Sequence, residues 1–161
     1  EVGDRAFELA PALGRQALRL RLVQLGAELA QLLAREVRLH VHHHARDFLA
    51  AAARRQETIY LPSYAEVEIA CALARRRHSP EVGQQLAREI MALSQVVAVP
   101  LDTALITKSV QSGTQLMLRS ADALYAAVAA IHSAQLISWD AELIQRAGAV
   151  TPADWLATNA A

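Results

Sequence analysis

Residues 120–140, SADALYAAVAAIHSAQLISWD, constrain the fold more than any other stretch of the chain. From Ser120 the stretch is so rich in alanine and other small residues that it reads as a helix able to approach a sheet very closely. A short turn then leads into Gln135–Ser138, a run of strand length. The helix carries Asp122 in its first turn, and Asp140 follows directly on the strand end. One helix–strand unit therefore sets a carboxylate at each of its ends.

The preceding chain supplies more short strands between helices. Residues 1–17, with Pro11 and Gly14 among Phe7, Leu9 and Leu13, read as an N-terminal helical arm broken at the proline. LRLRLVQL (18–25) alternates Leu and Arg, which fits a strand with one wetted face and equally a helix. A helical stripe over 27–35 and an extended or loop segment, VRLHVHHHA, come next. A helix is expected over 46–55, then a strand over 58–61 stopped by Pro62. Ser63 with Glu66 three residues on has the spacing of a capping box for a helix running to Arg77. Ser79-Pro80 opens another helix, with Val82, Leu86, Ile90 and Leu93 inward. A second buried strand, 96–99, is followed by a helix that Asp102 caps and Gly113 ends. After the 120–140 unit, Asp140 caps a short helix, 141–147, closed by Gly148. A last strand at 149–150 and a final turn of helix opened by Thr151-Pro152 complete the chain.

Strands alternating with helices imply an α/β domain whose mostly parallel sheet is covered on both faces. The 161 residues suit one domain, and a 53% hydrophobic content with only 4% aromatics implies a core of Leu, Ala, Val and Ile. Sixteen basic residues balance sixteen acidic ones, so any nucleic-acid surface must be local. A single cysteine, Cys71, excludes an internal disulfide framework, reads as a small core residue, and fits a reducing, cytoplasmic setting. No apolar run approaches the ~20 residues that cross a bilayer, and nothing near residue 1 has a signal-peptide pattern.

Ligands of open α/β sheets bind beyond the carboxyl ends of the strands. Glu68 lies in the helix after the 58–61 strand, Asp140 follows the 135–138 strand, and Asp122 opens the helix before it. Hard divalent cations take several such carboxylates. Aspartates at helix starts are also ordinary caps, which covers Asp102, Asp122 and Asp140. Glu68 is different. It lacks a capping partner and is followed by Ile69, Ala70, Cys71 and Ala72, so it needs a partner or a metal. His40, His42, His43 and His44 read as a solvated loop rather than a zinc site. Arg75–His78 and Arg119 are open to two readings, phosphate contact or helix-end charge, and Trp139 to base stacking or packing.

LPSYAEVEIACAL (61–73), RSADALYAAVA (119–129), LISWD (136–140) and VTPADWL (150–156) together resemble a PIN domain. The likeness is to the small VapC-type ribonucleases of type II toxin–antitoxin pairs. It covers about 18–157, and the C-terminal two-thirds is the specific part. It implies a three-layer sandwich over 18–161, with a mostly parallel central sheet flanked by helices. It implies Mg²⁺- or Mn²⁺-dependent cleavage of RNA, with Glu68, Asp122 and Asp140 as catalytic metal ligands and Ser138 in support. An antitoxin protein and a homodimer are the implied partners. The departure is at the front, where the family's first strand ends in an Asp. Here the register puts Gln24 at that point, Glu28 lies a helical turn further on, and no Asp occurs between Asp4 and Asp47. A PIN-like protein that binds RNA or a protein partner without cutting is the alternative.

Overall fold

Two four-residue strands stand at the centre of the computed structural model, which describes residues 42–159. β1 (Ile59–Pro62) and β2 (Val96–Val99) pair in parallel, Ile59 opposite Val96 and Pro62 opposite Val99. A separate parallel bridge joins Ile137 to Val150. Seven helices surround them among the described residues: α1 (His42–Arg54), α2 (Tyr64–Arg77), α3 (Pro80–Met91), α4 (Thr103–Leu116), α5 (Ser120–Ile131), α6 (Ala141–Ala147) and α7 (Pro152–Thr158). The arm at 1–17, the 18–25 segment, Gln24 and Glu28 lie outside the described residues.

Successive strand residues point to opposite faces, and β1 uses both. Ile59 packs with Ala51, Ala52, Trp155, Ile137 and Val150, under α1 and α7. Tyr60 joins Leu105, Ala127, Val128 and Val99, under α4 and α5. Helices thus cover both sides of a parallel sheet, an α/β sandwich. A third cluster, Ile90 and Leu93 with Ile69, Leu73 and Val96, ties α2 and α3 to the β2 edge.

Several elements depart from the sequence reading. Pro62 belongs to β1 rather than stopping it. N–H groups aimed at β2 include those of Ile59 and Ser63, so the ring nitrogen of Pro62 falls on the opposite edge and costs no bond to β2. β2 is not a buried strand, since Val97 and Ala98 are exposed. Among the described residues the 135–138 and 149–150 strands reduce to the single Ile137–Val150 bridge. His42, His43 and His44 open helix α1 instead of forming a loop. The Ser63 capping box does not form: Ser63 is itself helical, with no side-chain cap bond, and its carbonyl already accepts the Glu66 N–H. Cys71 is exposed rather than core, and Val82 is exposed rather than inward.

Gly113 does not end α4, which continues to Leu116 and stops at left-handed Met117. Its role is contact. A Cβ there would sit 2.8 Å from the Ala123 Cβ, so glycine lets α4 and α5 close together. The expected caps at Ser79, Asp102, Asp140 and Thr151 all form, each side chain accepting a backbone N–H from the first turn.

Candidate functional site

α5 and the start of α6 bring an acidic patch together. Asp122 sits in the first turn of α5, with Arg119 as the residue before the helix. Asp140 is held at the head of α6 because its Oδ1 accepts the N–H of Glu142 at 2.8 Å and of Leu143 at 3.4 Å. Ser138 steadies the approach, its Oγ accepting the Asp140 N–H at 3.0 Å. The cap also brings Glu142, two residues on, to the same side.

Arg119 ties the acids to one another. Its Nε lies 3.1 Å from Asp122 Oδ2, and its Nη2 lies 2.9 Å from Asp140 Oδ2 and 3.3 Å from Glu142 Oε2. Arg146 holds the other Glu142 oxygen at 2.9 Å and also donates to the Met117 carbonyl. Three acidic residues thus share one guanidinium, whose own side chain is 66% exposed.

Glu68 reaches the patch from α2. Tyr125, one turn beyond Asp122 on α5, donates its hydroxyl to Glu68 Oε2 at 2.6 Å. This is the partner that a half-buried carboxylate on α2 requires.

The charges respond to this crowding. Burial pushes the Asp122 carboxyl above its ordinary value, Arg119 opposes the shift, and the charges of Asp140, Glu142 and Glu68 add to it. Asp140 moves the other way, held down by the Glu142 N–H, with the Leu143 N–H and Arg119 assisting. Burial and the Glu68 carboxylate raise the Tyr125 hydroxyl, so it stays a donor. The neighbouring acids, Asp122 first, raise Arg119 further.

Glu68, Asp122 and Asp140 therefore lie in one electrostatic neighbourhood, but not as a ready metal cage. Among the described residues no group of three or more His, Cys, Asp or Glu could hold a metal ion. Arg119 occupies oxygens of Asp122, Asp140 and Glu142, and Tyr125 occupies one of Glu68. As arranged, these residues do not fit a divalent ion.

Beside the patch lies a cavity of about 420 Å³, between β1 and the 135–138 segment. Tyr60, Tyr125, Ile137, Trp139 and Trp155 are among its walls, and Ser138 connects it to the acids. Trp139 is exposed at the rim.

Sequence reasoning left Arg119 open between phosphate contact and helix-end charge, and it missed Tyr125 and Glu142. Arg119 and Tyr125 lie three residues before and after Asp122, which places all three on one helical side. Glu142 stands two residues past a capping Asp, where the cap turns it toward the same cation. Helical spacing around Asp122 was the available signal for the first two.

No curated protein and no solved structure matches the chain. The family model described as PIN domain matches residues 30–149 and so spans α1 to α6 and every acid of the patch. With most of its length inside that match and helices on both faces of a parallel sheet, the chain belongs to the PIN domain family.

Proposed function

We infer that this chain is a PIN-type endoribonuclease in which Glu68, Asp122 and Asp140 form the acidic centre and Ser138 supports it. Family membership supplies the nuclease-type chemistry, an RNA substrate class and a general use of divalent metal ions. The observation that carries the reading is the gathering of acids from α2, α5 and α6. Asp122 feels the charges of Asp140, Glu142 and Glu68 together. A fold seldom assembles so much like charge unless a cation or a phosphate chemistry uses it. The apolar cavity next to it, walled by Tyr60 and Tyr125 and edged by Trp139, offers a flat surface for an unstacked base. Mg²⁺ or Mn²⁺ is the cofactor of this reading. The toxin role, with an antitoxin partner, a homodimer and a cytoplasmic setting, is the form suggested by the VapC-like motifs. No helix among the described residues is long and apolar enough to cross a membrane.

The second reading, a PIN domain that binds RNA or a protein without cutting, draws on a specific observation. Arg119 already pairs with three carboxylates of the patch, and no metal-holding group stands among the described residues.

Cleavage of labelled single-stranded RNA by the full chain in Mn²⁺ separates the two. The nuclease reading expects cleavage that chelation abolishes and that Glu68→Gln or Asp122→Asn lowers by roughly a hundredfold or more, the scale of losing a charge-stabilising group. RNA binding with no cleavage at any Mn²⁺ level would favour the second reading. Cleavage unaffected by Glu68→Gln would remove Glu68 from the centre.

A further inference from the structure

The helix pair α4 and α5 is poor in charge where the other large helices are rich in it. Together these two carry two charged residues, Lys108 and Asp122, whereas α2 and α3, of the same combined length, carry eight. Asp122 is turned to Arg119 in the acidic patch. On α4, Ile106, Val110 and the C-cap Met117 are exposed, Val110 at 60% and Met117 at 73%. Thr103 and Thr114 are exposed too. The series Thr103, Ile106, Val110, Thr114, Met117 advances by three, four, four and three residues, which keeps all five on one side of the helix. Lys108 stands two residues from both Ile106 and Val110 and so falls off this stripe. The steps read the same from either end, with Val110 at the middle. Two copies of α4 laid antiparallel about a twofold axis at Val110 therefore match: Val110 meets Val110, Ile106 meets Thr114, and Thr103 meets Met117. We propose that α4 is the surface on which this chain pairs with a second copy of itself, antiparallel and in that register. This names a face for the homodimer in the reading above, but it rests on the stripe and on none of the acids.

The chemistry of the stripe selects a second copy over other occupants. It holds no cation for a phosphate backbone and no charge that a charged peptide could recognise. Another copy of the same stripe brings no like-charge repulsion and leaves no buried charge unpaired, as the core of an interface requires. Contact also strands no hydroxyl at Thr114, whose Oγ1 donates to the Val110 carbonyl at 2.7 Å and leaves its methyl outward. A helix of this length, about 21 Å, falls short by itself of the ~800 Å² per partner of a standard interface. Exposed Leu101 and Ile131 extend it. Gly113 faces Ala123 while Leu105 packs with Ala127 and Val128, so α5 runs antiparallel to α4 and brings Ile131 out at the Leu101 end. The patch is thus of the size that goes with a reversible dimer.

Sedimentation equilibrium of the full chain, without metal or RNA, tests the pairing. The parent is expected to show a monomer–dimer equilibrium with a dissociation constant on the order of 10 µM. Val110→Glu sets two like charges against each other on the axis and weakens the dimer roughly a hundredfold. Val110 is exposed, so this variant keeps the parent's circular dichroism spectrum. The register is tested by two double variants, Ile106→Glu with Thr114→Glu and Ile106→Lys with Thr114→Lys. Each by itself is monomeric, because like charges meet at both Ile106–Thr114 contacts. Their equimolar mixture recovers the dimer, because both contacts become opposite pairs. This rescue carries the test if Val110→Glu does not fold. A parent chain still monomeric at ~1 mM, as a face kept for a different partner would leave it, overturns the proposal. So does a dimer that Val110→Glu leaves intact. Double variants that stay monomeric on mixing overturn the antiparallel register. Since neither metal nor RNA enters the measurement, each of these failures leaves the nuclease reading standing.

Discussion

Tyr125 shows how much of the site depends on single polar atoms. Its hydroxyl is the described partner of Glu68, and Tyr125→Phe would leave a half-buried carboxylate without that bond. A loss of about 1.5–3 kcal/mol is expected, the range for hydrogen bonds to charged groups. Urea unfolding checks it. Glu68→Gln, which keeps an acceptor for the same hydroxyl, should cost less. Asp122 makes a second prediction through its protonation. Its folded-state pKa is raised, so the stability it contributes is fully present below the ordinary carboxylate value near ~3.9 and is lost as pH rises through the raised value. Asp122→Asn removes that dependence. The parent chain should therefore lose stability relative to Asp122→Asn as pH climbs from about 3 to 7, read from urea midpoints at each pH. A parent that gains on the variant over this range would mean that the Arg119 pair outweighs burial. The sequence singled out the acids because carboxylates at strand ends and in an apolar helix context are unusual by residue type alone. It left Arg119 undecided and did not single out Tyr125, because an arginine before a helix and a tyrosine inside one are unremarkable until the partner's position is known.

At the scale of elements, the helix starts were legible and the contacts between helices were not. Caps are local: Asp102, three residues before the Leu105 N–H it accepts at 2.8 Å, carries its whole geometry within one turn. Asp102→Ala should cost about 1 kcal/mol of stability and leave RNA cleavage unchanged, which separates this cap from Asp140. Glycine is harder to read, since the same residue ends helices and permits close approach. Gly113 and Gly83 both do the second. A Cβ at Gly83 would meet the Ala70 carbonyl at 2.6 Å and Ala74 atoms at 2.7 Å on the neighbouring α2, whereas a Cβ at Gly113 meets a single methyl at 2.8 Å. Alanine at either position improves helix propensity by up to ~1 kcal/mol, but overpacking costs typically ~1–3 kcal/mol. Gly83→Ala, pressed against backbone, should be clearly destabilising. Gly113→Ala, pressed against a side chain, should be milder. Thermal midpoints of the two variants give the order.

For the whole molecule, alternation of strands and helices was enough to give an α/β architecture, because each element needs a covered face and parallel strands need helical crossovers. The extent of the sheet was not. Gln135–Ser138 has strand-like residues, yet among the described residues only Ile137 forms a bridge, to Val150 outside either strand, since pairing depends on neighbours distant in sequence. Burial misled in the same way: β2 has the composition of an interior strand but presents Val97 to solvent.

The junction of α1 with α7 sets a different kind of requirement. Phe48 meets Trp155 edge-on with ring centroids 5.0 Å apart, and Arg55 lies over the same indole while donating to the Asn159 carbonyl at 2.6 Å. These partners are about a hundred residues apart, so the contact closes a very long loop and gains nothing until both ends are available. During synthesis α1 and Ile59 must wait, apolar faces uncovered, until Trp155 has emerged. Chains stalled before that point are the ones a chaperone or a protease would meet first.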